Sequence, residues 1–263
     1  MWVVVRSGAD LVRWVTRVAA CTGLWAALWA APGAARADLD EPGFEIPEVS
    51  AWTLRSGELA VGPLGVNLGL FEVIQLGTDP TLGVLGAPNA LGKWTIHASE
   101  RLGIGVEAGV IRFDPGLVGI RESFAAWAFP LAFRVSGRAS DRVRVHAAVE
   151  FLGSHPEEQA PDGVLALERL VGPVGQLAAK VGVEWRAGAH LAVIMQLETP
   201  LIVHRAAYRY AGESADAIAF LRATASLYGV FGAFNFRVGG GWGPSFLGKS
   251  GPFPLLELYV RLF

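Results

Sequence analysis

The sequence predicts an all-β fold: a single antiparallel, transmembrane up-and-down β-barrel of about 12 strands, with ten as the alternative count. Three observations carry this. Apolar and polar residues alternate with period two in segments of about ten residues, the strand period at a membrane-crossing length. Only 17% of residues are charged, and mean hydropathy is +0.40, yet beyond residue 37 no run of 18 apolar residues escapes interruption by charge, Pro or Gly. Short and long connections alternate along the chain, as they do when turns gather at one end of a barrel and loops at the other.

The first 37 residues explain the compartment. Arg6, Arg13 and Arg17 form a basic start, residues 18–31 (VAACTGLWAALWAA) an apolar core, and Ala35-Arg36-Ala37 a small-residue cleavage site. This is the pattern of a removable secretory signal peptide. The apolar core is shorter than the ~20 residues a membrane anchor needs. Val18-Ala19-Ala20-Cys21 has the outline of a lipidation box, but Arg17 immediately precedes it and no apolar run does. Residues 38–43 follow as a flexible lead, and residues 44–263 form the barrel.

Removal of the signal leaves 18 basic and 23 acidic residues, a net charge of −5. Phosphate binding needs clustered positive charge, so nucleic acid is excluded as a partner. Cys21, the one cysteine, leaves with the signal, so no disulfide framework is expected. A hydrophobic exported chain without spanning helices has two ways to satisfy its backbone: a soluble periplasmic β sandwich or a closed membrane barrel. Strand length decides between them. Sandwich strands run about 5–6 residues, whereas several faces here stay apolar for nine to thirteen.

In order along the chain, Trp94 and Ile96 alternate with Lys93, Thr95 and His97. Leu102, Ile104, Val106, Ala108 and Val110 oppose Gly103, Gly105, Glu107 and Gly109. Trp127, Phe129, Leu131, Phe133 and Val135 alternate with small residues and Arg134. Val143, Val145, Ala147, Val149 and Phe151 oppose Arg144, His146 and Glu150. Leu177, Ala179, Val181, Val183 and Trp185 oppose Lys180, Glu184 and Arg186; Leu191 to Leu197 oppose Gln196 and Glu198. Leu221 to Leu227 oppose Arg222 and Tyr228, Phe234 to Trp242 oppose Arg237, and Leu256 to Leu262 oppose Glu257, Tyr259 and Arg261. The apolar faces contain no charge. A charge facing lipid costs about 2–4 kcal/mol near the midplane. Residues 57–263 supply about 11 strands, and both termini on one side require an even number, so a twelfth is expected from residues 44–54 despite Pro47.

Short turns are expected at Glu100-Arg101, at residues 138–141 and 187–190, and near 229–233; Phe71-Glu72-Val73 resembles a first copy of the same turn. Long loops are expected over residues 79–89, 114–124, 154–172, 204–217 and 243–254.

The signal, the alternating strands and the terminal Leu258-Tyr259-Val260-Arg261-Leu262-Phe263 together resemble Gram-negative outer-membrane β-barrel proteins, as an uncharacterised subfamily. The resemblance covers the whole chain beyond the signal as a pattern. It implies a cell outer-membrane location, outer-membrane lipids and the barrel-assembly machinery as partners, and a role for Phe263 as the C-terminal aromatic read during assembly. Arg261 and Tyr259 stand where that family places apolar residues, so the apolar face is offset by one.

The charged faces should line a lumen: Glu107, Arg134, Arg144, His146, Glu150, Lys180, Glu184, Arg186, Glu198, Arg222, Arg237, Glu257 and Arg261, with Glu58, Lys93 and His97 beside them. Such a set lines a narrow passage for ions or small solutes, or closes it with salt bridges as in small barrels filled by side chains. Many lumen positions are Gly or Ala, which favours the passage; a structural or surface-interaction barrel with a plugged lumen is the alternative. Trp94, Trp185 and Trp242 are expected in the interfacial aromatic girdles, with Trp52, Trp127, Tyr208, Tyr210 and Tyr228 as further candidates. His97-Ala98-Ser99 resembles the His-x-Ser pair of outer-membrane lipid A deacylases, the one lipid-modifying reading; a polar lumen pair is the plainer one. No nucleophile elbow and no metal-ligand spacing occur among the five histidines, so no enzyme activity, cofactor or metal is expected.

Overall fold

The computed structural model describes residues 39, 46, 49–62, 65–114, 126–156, 176–202, 221–244 and 250–262. Twelve strands run β1 (Leu59–Gly62), β2 (Gly65–Leu70), β3 (Ile74–Thr78), β4 (Asn89–Ala98), β5 (Leu102–Phe113), β6 (Ala126–Arg138), β7 (Val143–Pro156), β8 (Gln176–Arg186), β9 (Leu191–Ile202), β10 (Arg222–Phe231), β11 (Phe234–Pro244) and β12 (Ser250–Leu262), with a five-residue helix α1 (Pro80–Val84) after β3. Every strand pairs antiparallel with its sequence neighbours. β1 pairs with β12, Leu59 opposite Leu262, and closes the sheet into one barrel. Closure leaves no unpaired edge, the condition for a sheet to cross hydrocarbon.

One end gathers the tight connections: residues 71–73, 99–101, 139–142, 187–190 and 232–233, together with the start of β1 and the end of β12. The 71–73 turn holds Phe71 and Glu72 in the left-handed region (φ 54° and 60°), the twist that tight hairpins favour. The other end carries the longer connections and the two-residue link from β1 to β2. There Asp79 caps α1 through Leu82 N–H at 3.1 Å, and the Asn89 side chain binds the Asp79 backbone from both sides.

Alternation sets two faces. On β7, Arg144, His146 and Ala148 are buried while Val145, Ala147 and Val149 are exposed; β8 does the same with Gly182, Glu184 and Arg186 against Val181, Val183 and Trp185. The outward side therefore presents Phe129, Leu131, Phe133, Val149, Phe151, Val181, Met195, Leu197, Val238 and Leu256. A hollow of about 1060 Å³ crosses this outer wall. It follows one hydrogen-bonded row, Leu102–Gly137–Val145–Val183–Met195–Ala225–Gly240, and is shallow relief where that row carries Gly or Ala.

The expected twelfth strand is located differently. Among the described residues, 49–54 contribute no strand; the twelve strands all lie between Leu59 and Leu262, because the stretch 59–78 makes three short strands. Residues 49–54 instead sit inside the barrel. Leu39, Ile46, Val49 and Leu54 form a buried cluster with Ala60, Ala192, Ile194, Tyr228, Val230 and Tyr259 of the inner wall. Each such Leu or Ile contributes about 1.5–3 kcal/mol when fully buried. The last long loop is also shorter than expected, because β11 runs to Pro244 and β12 starts at Ser250.

Candidate functional site

The lumen is the site, and its first occupant is the chain itself. Residues 50–54 lie against the inner wall through their backbone. Lys93 Nζ donates to the Ser50 carbonyl at 2.6 Å, and Thr95 Oγ1 to the Ala51 carbonyl at 3.2 Å. Ala51 N–H donates to Ser136 Oγ at 2.8 Å, Leu54 N–H to Gln75 Oε1 at 3.2 Å, and Thr53 Oγ1 to the Glu72 carbonyl at 2.8 Å. Further back, Leu39 N–H donates to the Ala189 carbonyl at 2.7 Å, and Arg186 Nη1 donates to the Leu39 carbonyl. Two glycines make the approach possible. A Cβ on Gly103 would stand 2.7 Å from the Trp52 ring, and one on Gly105 2.7 Å from the Ala51 carbonyl oxygen. Arg138 covers Trp52, its guanidinium carbon 5.5 Å from the ring centre. The plug thus closes the short-turn half of the lumen.

Around the plug, charges are fully buried and tied. Glu184 is completely inaccessible; Arg186 Nε reaches it at 2.6 Å, Arg144 Nε at 3.9 Å and His146 Nε2 at 3.4 Å. His146 Nδ1 is 2.8 Å from Ser136 Oγ, the atom that accepts Ala51 N–H. With Ser136 donating to Nδ1, the ring turns Nε2 toward Glu184. One polar chain therefore links the plug at Ala51 through Ser136, His146, Glu184 and Arg186 to the plug again at Leu39. This hydroxyl–imidazole–carboxylate line holds a peptide group in place. Arg261 and Glu58 form a second buried pair, and Tyr228 hydrogen-bonds both Tyr259 and Asn235.

Above this lies a belt of alternating sign on seven successive strands: Lys93, Glu107, Arg134, Glu150, Lys180, Glu198 and Arg222. Arg134 binds Glu107 at 3.1 Å and Glu150 at 3.0 Å; Lys180 binds Glu150 at 2.6 Å and Glu198 at 3.4 Å. Arg222 stands opposite Glu198 and packs over the Phe253 ring at 4.6 Å. Arg237, opposite Glu257 at 3.5 Å, also binds Ser226 and Gln196. Between β2 and β6 a polar cavity of about 150 Å³ is lined by Asn67, Gln75, Gly77, Leu91, Gly92, Lys93, Glu107 and Arg134.

All thirteen charged and histidine positions expected in the lumen have the inward parity of their strands, as do Glu58 and Lys93. His97 does not. A bulge between Thr95 and His97 places His97 opposite Ile104 of the outer face, and the residue is exposed. Ser99 belongs to the following turn, where it exchanges hydrogen bonds with the Leu102 backbone. The bulge adds one residue, so the two side chains do not share a lumen face as strict alternation requires.

Trp94, Trp185 and Trp242 are exposed on the outer face at 57%, 47% and 58%, the first two toward the short turns and the third toward the long loops. Trp127 also points outward, beside Arg112 at 5.7 Å. Trp52 and Tyr228 are corrections: both are buried inside, one in the plug and one beneath it. Residues 1–38, Tyr208, Tyr210 and Phe263 lie outside the described residues. Sequence reasoning missed Ser136, Gln75 and Asn67, and it missed the plug. The signal available for the plug was the glycine pair Gly103 and Gly105 on the inward face of β5.

No protein-family model matches the chain, and no curated protein matches it significantly. The chain is a closed 12-strand antiparallel up-and-down β-barrel, compatible in architecture with outer-membrane barrels.

Proposed function

We propose that this is an outer-membrane barrel held closed by its own N-terminal segment, a narrow passage for ions or small solutes only when residues 49–54 leave the lumen. The observation that carries this is the backbone of Ser50 to Leu54 bonded to the inner wall by Lys93, Thr95, Ser136 and Gln75. The membrane placement is supported by the broad outward apolar surface, by closure of the sheet, and by the signal-like first 37 residues. Outer-membrane lipids would then meet Trp94, Trp185 and Trp242, and the barrel-assembly machinery would read the C-terminal strand. The reading assigns no catalytic role to His97 and Ser99, and no cofactor.

A second reading has its own support. The belt from Glu107 to Glu198 above the plug is tied by salt bridges, which suits a structural or surface-interaction barrel that never opens. Planar-bilayer recording separates the two. The intact chain is expected to be silent and a chain lacking residues 39–55 to conduct steadily. Equal, steady conductance from both overturns the plug; silence from both, with the shortened chain still folded, favours the permanently closed barrel.

A further inference from the structure

The inner wall is cationic although the chain is acidic. Nine basic side chains (Lys93, Arg134, Arg138, Arg144, Lys180, Arg186, Arg222, Arg237 and Arg261) face six carboxylates across the described lumen, while the whole chain carries a net charge of −2. At the polar cavity Lys93 and Arg134 stand beside Glu107, and Glu150 reaches Arg134 from outside the lining.

We propose that this cavity is a binding site for a small carboxylate anion, and that the anion competes with the plug for Lys93. Three features argue for it. The first is size: about 150 Å³ exceeds the 10–15 Å³ that one water needs, leaving room for a solute of several heavy atoms. The second is preorganisation. Arg134 is clamped between Glu107 and Glu150, and Gln75 Nε2 donates to Asn67 Oδ1 at 3.1 Å, so the walls are set before a ligand arrives. Gly77 lies against the Asn67 amide, so a side chain there would push that amide off its place.

The third feature is the shared partner. Lys93 lines the cavity, and its Nζ donates to the Ser50 carbonyl at 2.6 Å. A carboxylate oxygen is a stronger acceptor for an ammonium than a peptide carbonyl is. Gln75, which also lines the cavity, holds Leu54 N–H, so two of the lining residues hold the plug. An anion that captures Lys93 therefore removes the donor from the Ser50 carbonyl and loosens the plug next to Ala51.

The gating half of this inference rests on the closed-barrel reading; the binding half does not. The test uses the full chain in detergent micelles with Cys21→Ser and Ala51→Cys, and succinate as probe. Maleimide labelling of residue 51 should accelerate about tenfold in succinate, the effect of a tenfold shift in the bound–released balance of the plug. Succinamide, of like size without charge, should leave the rate unchanged. Lys93→Met, whose stem keeps the packing, should abolish the succinate effect while the barrel still resists unfolding by detergent. Calorimetric titration with succinate provides the second readout. No heat of binding in the parent chain, or equal binding of succinate and succinamide, overturns the site. Succinate binding with an unchanged labelling rate overturns the competition. Steady conductance of the intact chain without succinate contradicts the closed barrel instead, and leaves the titration to judge the site.

Discussion

The two halves of the lumen are filled by opposite means. Beneath the short turns, charges are withdrawn from water: Glu184 and Glu58 are at 0% side-chain exposure, Arg261 at 1%, Arg186 at 4% and Arg144 at 5%. In the belt above, Lys180 keeps 28%, Glu107 26%, Glu150 23% and Glu198 22%. The difference follows from the plug. Where Leu39, Ile46 and residues 49–54 fill the space, water is excluded, and every charge must find a protein partner or bear a desolvation cost of several kcal/mol. Where nothing is threaded, side chains of alternating sign repay each other only in part, and a cavity persists. The lower half is a folded core turned inside a barrel; the upper half is a lined chamber.

Each prediction breaks one side of that contrast. The largest effect is expected from Gly105→Leu, which leaves the plug sequence intact but places a side chain where the Ala51 carbonyl lies. Planar-bilayer recordings should change from silent to the steady conductance of a chain lacking residues 39–55; unchanged silence from a folded variant contradicts the close approach. Next come the dry charges. Glu58→Ala takes the carboxylate away from the buried Arg261 and should cost about 3–5 kcal/mol in urea unfolding from lipid vesicles. The double change Glu58→Met with Arg261→Leu should recover most of that loss, because an apolar pair needs no partner. Glu198→Ala in the belt, where water reaches the side chain, should cost far less.

A smaller effect tests the outer face. Val181→Arg, at 54% exposure on the middle of β8, should destabilise the barrel by about 2–4 kcal/mol in bilayers if that face meets hydrocarbon. A negligible cost would remove the membrane placement. The smallest effect lies at the long-loop end. Burial pushes the Asp79 carboxyl above its usual range, against the pull of the Leu82 and Thr81 amides. The folded chain therefore holds that proton more tightly than the unfolded one. The associated stability is present below the unfolded value and fades as pH rises through the folded one. Asp79→Asn keeps a capping oxygen and should flatten this pH dependence, shifting stability by no more than about 0.5 kcal/mol at neutral pH.

Much of the barrel was legible because its wall obeys one rule. Period-two alternation identifies the long strands from β4 to β12, and the pairing of short turns with long loops assigns their ends. The rule fails in three places for physical reasons. The stretch from Leu59 to Thr78 makes three strands of four to six residues, too short for alternation to separate from turns. At Ile96 a bulge adds one residue, so parity cannot follow His97 to the outer face. Most consequentially, parity tells which side of a wall a residue faces and nothing about what stands there. Residues 44–54 carry the apolar content of a strand, and only tertiary packing shows that Ile46 and residues 49–54 serve as filling. Trp52 illustrates this: an aromatic between small and apolar residues suits a lipid interface equally well, and the decisive features are Gly103 beneath it and Arg138 above, 51 and 86 residues further along the chain. The twelve lumen charges and His146 were legible one by one, but their division into a dry cluster and a wet belt was not, since that depends on how far the plug reaches.

The central claim is that residue 51 is enclosed by the barrel. Single-cysteine chains (Cys21→Ser with either Ala51→Cys or Gly188→Cys) report on it through labelling by a water-soluble maleimide in native membranes. Gly188 sits in an exposed turn at the same end of the barrel as the plug. Labelling at 51 slower than at 188 by two orders of magnitude or about that, and accelerated by Gly105→Leu, is the result expected of an enclosed segment. Equal rates at the two positions contradict it.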